Sequence, residues 1–325
     1  MAHHPLKILL GIALACTLAT AARAEFPERP VKMLVGFSAG GGTDVAARIV
    51  APGLGEAIGQ AVVVENRPGA SGLIAAEAVA RAAADGYTLM MGSQTTLAVA
   101  PNLYRKFTLD ASRDFAGVGL VGASPLVLVV NPKVAAHSVA ELVALAKREP
   151  GKLNFASGGV GTTPHMAGEL FRLTAGINVV HVAYRGEAPA INDLLGGQVP
   201  MMFANLSAVI GQVRAGALRA LAVASPKRSA TAPDIPTLAE QGLTGCEVET
   251  WFGVVAPAGT PKAVVGKLNA ELQRVVARDD TQKRLAGLGM VGAAGSPAEF
   301  DAYIKAEIAK WGKVISDADI KPVTE

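Results

Sequence analysis

Short apolar runs alternate with longer stretches of helical period along almost the whole chain. The apolar runs 31–35, 61–65 and 88–91 read as strands, with a helix over 43–58 and an alanine-rich helix over 74–84 between them. This βαβαβ order predicts a parallel sheet with helices on its faces and binding loops at the carboxyl ends of its strands. Two short strands, 118–121 and 126–130, follow. They are separated by Gly122-Ala123-Ser124-Pro125, where the chain is expected to cross into a second lobe. Beyond it the alternation resumes: helix 138–148, strand 153–156, a helix ending at 175, strand 179–182, helix 188–195, strand 201–204, helix 207–215 and strand 220–223. Near 249–255 the chain is expected to return to the first lobe before two last helices, 261–278 and 296–315. Ser138 with Glu141 and Ser296 with Glu299 are capping-box pairs. The expected organisation is lobe 1 from 25–125 plus 251–325, and lobe 2 from 126–250.

Two strand-to-helix junctions are rich in glycine. Gly36-Phe37-Ser38-Ala39-Gly40-Gly41-Gly42-Thr43-Asp44 follows the first strand, and Ser157-Gly158-Gly159-Val160-Gly161-Thr162-Thr163-Pro164-His165 follows the first strand of the second lobe. Glycines let successive backbone N–H groups converge, and a helix N-terminus adds partial positive charge, so each loop suits an anion. Neither contains a lysine or arginine, and no G-x-x-x-x-G-K-[ST] motif is present, which fits a carboxylate better than a triphosphate. Gly36-Phe37-Ser38-Ala39-Gly40 also matches the G-x-S-x-G elbow of serine hydrolases. Gly41 to Thr43 would leave Ser38 on a loose loop where that chemistry needs a strained turn. Ser93 and Thr95 lie at a third strand end and are further ligand candidates, or plain helix caps.

Composition narrows the class. The chain has 325 residues, half of them hydrophobic and 18% charged, as expected of a globular protein large enough for two cores. Lys7 before the apolar run 8–18, and Ala22-Arg23-Ala24, predict a secretory leader cleaved after Ala24. A lipoprotein signal at Cys16 is the rival reading. Losing Lys7 and Arg23 reduces the formal net charge from +3 to +1, which offers no basic field for nucleic acid. Cys246 would then be a lone thiol, read as a small buried hydrophobe, and no His/Cys spacing suggests a metal. No cofactor is expected.

The sequence resembles the Bug family, the extracytoplasmic solute-binding proteins of tripartite tricarboxylate transporters. The resemblance rests on ordered matches across the mature chain, among them Gly40-Gly41-Gly42-Thr43-Asp44, Val64-Glu65-Asn66-Arg67-Pro68-Gly69, Asp85-Gly86-Tyr87-Thr88, Pro150-Gly151-Lys152-Leu153-Asn154-Phe155, Asp193-Leu194-Leu195-Gly196-Gly197-Gln198 and Trp251-Phe252-Gly253. It implies a two-lobed, flytrap-like periplasmic-binding-protein fold of the type II kind, α/β in each lobe with a mostly parallel sheet flanked by helices. A small di- or tricarboxylate, or a related organic acid, would lie in the cleft. The implied ligand-binding residues are Ser38, Ala39, Gly40, Gly41, Thr43 and Asp44 from the first loop, and Ser157, Gly158, Gly161, Thr162, Thr163 and His165 from the second. Ser93, Thr95, Tyr184 and Asn205 complete the set. The implied partners are one large and one small integral membrane subunit, served by a monomeric periplasmic receptor. A ligand sensor for a signalling receptor, and a hydrolase using Ser38, are the alternatives. Relatives often carry an acid where Ala204 stands; its absence points away from amino-acid ligands.

Overall fold

The computed structural model describes residues 26–323 apart from Phe107, Arg185, Leu288 and Ala294. The expected leader, its cleavage point and Cys16 lie outside the described residues. The parallel ladder predicted for the first part is present in the order β2 (Val62–Asn66), β1 (Val31–Val35), β3 (Thr88–Ser93). Helices α1 (Gly42–Ile58) and α2 (Leu73–Ala80) connect these strands. The second helix is shorter than the sequence pattern implied. Past β3 the chain makes a π-helical turn, Thr95–Val99, and two short helices, α3 (Ala100–Leu103) and α4 (Ala111–Asp114).

The largest difference from expectation lies in the next element. Residues 115–130 form one strand of 16 residues, β4 (Phe115–Val130), with no break at Gly122-Ala123-Ser124-Pro125. Gly122 is there for contact, since a Cβ on it would come within 2.6 Å of the Val291 carbonyl oxygen on the short strand β10 (Val291–Gly292). Pro125 contributes no N–H to the ladder, and β4 changes partners beside it. Up to Pro125 it pairs antiparallel with β9 (Glu249–Pro257); from Leu126 it pairs antiparallel with β7 (Met201–Asn205), and from Val127 also with β8 (Arg219–Val223). β9 in turn pairs antiparallel with β3, and β5 (Asn154–Ser157) lies parallel to β6 (Val180–Ala183) and to β7. The sheet is therefore mixed. The expected parallel ladders stand at its two ends, and antiparallel strands join them.

Helices α5 (Val139–Arg148), α6 (Thr163–Ala175), α7 (Glu187–Gly196) and α8 (Leu206–Arg214) connect the strands of the second part. The chain closes with α9 (Lys262–Ala277), α10 (Asp279–Gly287) and α11 (Pro297–Asp317). Ser138 caps α5, and the Ser296–Glu299 box opens α11, as the sequence indicates. The helix α11 is fastened through the buried Glu307. Its Oε2 accepts from Gln94 Nε2 at 3.1 Å, Trp251 Nε1 at 3.1 Å and Trp311 Nε1 at 2.9 Å. The same helix reaches the second part of the molecule, where Lys310 donates to the Glu247 carbonyl and Arg172 donates to the Ala318 carbonyl.

Removing the Glu307 carboxylate orphans three buried donors. Glu307→Leu is expected to lower unfolding free energy by about 3–5 kcal/mol, and Glu307→Gln, which keeps an acceptor, by clearly less. Urea titration of both variants checks the order; equal losses would show that the carboxylate is not what holds the helix.

Candidate functional site

The first glycine loop is built around a carboxylate that faces inward. Asp44 is 2% exposed, and its oxygens accept from the Gly40 N–H at 2.9 Å, from Arg48 Nε at 2.9–3.0 Å and from Asn66 Nδ2 at 2.8 Å. Burial opposes its ionisation, but the hydrogen bonds from Arg48, Gly40 and Asn66 outweigh that cost and hold the carboxyl below its usual range. Asn66 also donates to the Phe37 carbonyl, so the end of β2 ties both sides of the loop. Gly40 has φ +84°, a conformation that favours glycine. The amides of Gly42 and Thr43 belong to the unpaired first turn of α1, which no side chain caps.

The second loop has an apolar and aromatic backing. His165 is 3% exposed, and its Nδ1 accepts from the Gly161 N–H at 3.1 Å. Its ring stacks on His181 at 3.9 Å between centroids, and His181 Nε2 lies 2.6 Å from Ser157 Oγ. Ser157 Oγ also bonds both the carbonyl and the amide of Gly159. Burial pushes His165 down to about 3, helped by its neighbour, and burial pushes His181 down to about 4, so both rings are neutral. Gly158 lets the loop approach the next one: a Cβ there would meet the Glu187 backbone nitrogen at 3.0 Å. Helix α6 likewise starts without a side-chain cap, since the Thr162 hydroxyl turns back to the Gly159 carbonyl.

The loops face each other across a cleft of two adjoining chambers. The first, of about 420 Å³, is lined by Ser38, Ala39, Gly41 and Thr43 from one side and by Gly158, Thr162 and Thr163 from the other, with Ser93, Thr95 and Asn205. Thr95 Oγ1 and Thr163 Oγ1 lie 3.4 Å apart, a direct contact between the π-helical turn and α6. The second, of about 550 Å³, has Gly40 and Gly41 on its wall and extends to Ser124, Asn192 and Gln212. Glu187, Asn205, Gly42 and Phe252 border both. Four helices, α1, α6, α7 and α8, point their N-termini at this cleft, and none of the four has a side-chain cap.

Five residues expected at the ligand are not on the walls of either chamber. Asp44, Ser157, Gly161 and His165 line neither chamber; their polar groups are spent on shaping the loops. Tyr184 lines neither chamber, because its hydroxyl donates to Asp193 Oδ2 at 2.7 Å. Ser38 is exposed on its loop, while His165 and His181 are engaged behind the opposite one. Arg185 lies outside the described residues. The sequence reading did not single out Glu187 or Thr250, because their loops come together only in three dimensions. Within the Trp251-Phe252-Gly253 motif, Phe252 walls the cleft, whereas Trp251 is fully buried beside Phe300 and Glu307.

The histidine pair has a consequence for stability. Both folded values are depressed from about 6.5, so the pair contributes fully above that pH and its contribution is lost as pH falls toward 4 and then 3. The melting temperature is expected to drop from pH 7 to pH 4, and to drop less steeply in His181→Asn; parallel slopes by scanning calorimetry would contradict this.

A family model described as the tripartite tricarboxylate transporter family receptor matches residues 46–320. Protein BugT of Bordetella pertussis is 38% identical over 311 residues, covering 95% of each chain. A solved structure of Rpa4515 from R. palustris with adipate superposes with a TM-score of 0.83 at 37% identity, covering 92% of this chain and 100% of that one. MatC (Rpa3494) from Rhodopseudomonas palustris, with bound malate, gives 0.79 at 32% identity over 89% of this chain and 100% of the other. With its two-lobed α/β architecture and its matches to Bug and receptor proteins along nearly the whole length, the chain belongs to the tripartite tricarboxylate transporter receptor family.

Proposed function

We propose that the protein is a periplasmic solute-binding receptor that captures a small organic carboxylate in the cleft and delivers it to the large and small membrane subunits of a secondary transporter. The observation that carries this reading is the pairing of two uncapped helix N-termini, α1 and α6, across the smaller chamber. Backbone amides and the hydroxyls of Ser93, Thr95 and Thr163 supply neutral donors there. Among the described residues no lysine or arginine lines either chamber. Such donors suit one or two carboxylate oxygens, with waters filling the remaining bonds. The adipate and malate found in the two related structures support the ligand class. The apolar leader after Lys7 supports a periplasmic location.

In this reading lobe 1 comprises 26–125 with 251–323, and lobe 2 comprises 126–250. The first lobe brings α1 and the second brings α6, so a carboxylate between them favours the closed arrangement through contacts that the open one lacks. The Thr95–Thr163 contact would form part of that closure.

A thermal-shift panel of mono-, di- and tricarboxylates, phosphates and nucleotides tests the function. A carboxylate at about 100 times its dissociation constant should add about 2.7 kcal/mol of stability. Shifts with nucleotides or phosphate alone would overturn the assignment. Thr163→Val is expected to weaken the best carboxylate by about 1 kcal/mol, roughly fivefold, by calorimetric titration; unchanged affinity would remove Thr163 from the contact set.

A further inference from the structure

Glu187 opens α7 and stands on the wall shared by the two chambers. Among the described residues it is the one ionisable side chain that lines either of them. Its carboxylate is held in place by Asn205, whose backbone N–H donates to Oε1 at 2.7 Å and whose Nδ2 donates to Oε2 at 2.8 Å. Each oxygen keeps lone-pair capacity beyond that single bond. No cation pairs with it among the described residues. Burial pushes its carboxyl up, with the two Asn205 bonds pulling the other way.

The chamber walls hold two further polar groups without partners. Ser124 on β4 and Thr250 on β9 are register neighbours, 2% and 9% exposed, and neither hydroxyl finds a hydrogen bond within the protein. Ser124 borders the larger chamber and Thr250 the smaller. Both hydroxyl oxygens are inaccessible from the chambers, so they are unsatisfied groups inside the wall and not contact points for a cargo. Glu187 therefore remains the charged group that the shared wall presents to a cargo.

A simple dianion fits this poorly. Its first carboxylate meets the amides at α1 and α6, but its second would approach a carboxylate that no lysine or arginine among the described residues neutralises. A ligand that carries a protonated amine meets the opposite situation, for the amine completes the charge that Glu187 lacks. We propose that Glu187 is a specificity-determining residue that selects ligands with both a carboxylate, held at the α1 and α6 N-termini, and a protonated amine, held at the shared wall. This rests on the carboxylate reading of the cleft and narrows it to zwitterions and amino diacids. At Ala204 the absence of an acid points away from amino-acid ligands in the sequence, but Ala204 is fully buried in β7 and lines neither chamber; the acid in this cleft comes from the start of α7 instead.

Isothermal titration with matched ligands tests it: succinate against aspartate, glutarate against glutamate, adipate against 2-aminoadipate, and the ω-amino acids 4-aminobutyrate and 6-aminohexanoate alone. In at least one pair the amine-bearing member is expected to bind about tenfold tighter or more, the scale of one charged hydrogen bond. Glu187→Gln should bring that ratio close to one by weakening the amine-bearing ligand while leaving the plain diacid equal or tighter. Plain diacids that bind as well as their amino counterparts to the unaltered protein would overturn the role of Glu187 and leave the carboxylate function standing. Binding of no carboxylate of either kind would overturn both. The comparison on the unaltered protein does not depend on the variant folding.

Discussion

One strand determines where everything else can be. β4 is hydrogen-bonded along its length to four others, and its neighbours change where Pro125 withholds an N–H. Because it is continuous, it joins the two parts of the sheet through one backbone. The helices that begin at the carboxyl ends of the strands on either side have their N-termini set in register across a gap. An amide at a helix start costs little while water can reach it, and it becomes a recognition element when an anion replaces the water. The cleft is thus a by-product of topology, and the chemistry of its walls is added by a few side chains on the connecting loops.

Those side chains divide into two kinds. Asp44, Ser157, His165 and Asn66 line neither chamber and consume their polar capacity on loop backbone and on neighbouring side chains. They fix which amides remain free. Thr43, Ser93, Thr95, Thr163 and Asn205 face the cleft. Exchange between the two kinds is not conservative even when residue types match, since a loop-facing group lost here frees a donor or acceptor that competes with the ligand.

Much of this was legible in the sequence because it is local. Apolar runs of the right length, glycine at strand ends and capping pairs such as Ser296 with Glu299 depend only on near neighbours, and the family motifs add their order. Three kinds of feature were not legible. Gly122 reads as a turn residue, because a glycine needed for close approach to Val291 looks the same in sequence as one needed for a positive φ. His165 and Tyr184 sit in the right loops but aim at Gly161 and Asp193; direction depends on partners that the fold supplies. Glu187 reads as an ordinary first-turn acid, and only its position opposite Asn205, on a wall between two chambers, makes it more than that.

The return of β9 to the first part of the molecule also governs how the chain comes into being. Met90 to Ser93 have their ladder partners at Phe252 to Val255, which are made long afterwards. Until then β3 is an open, apolar sheet edge, the kind of surface that recruits other chains. Closing it is a non-local event that is entropically slow. A chain in which β9 has not yet paired therefore carries this open edge, and the docking of β9 is the step that closes it.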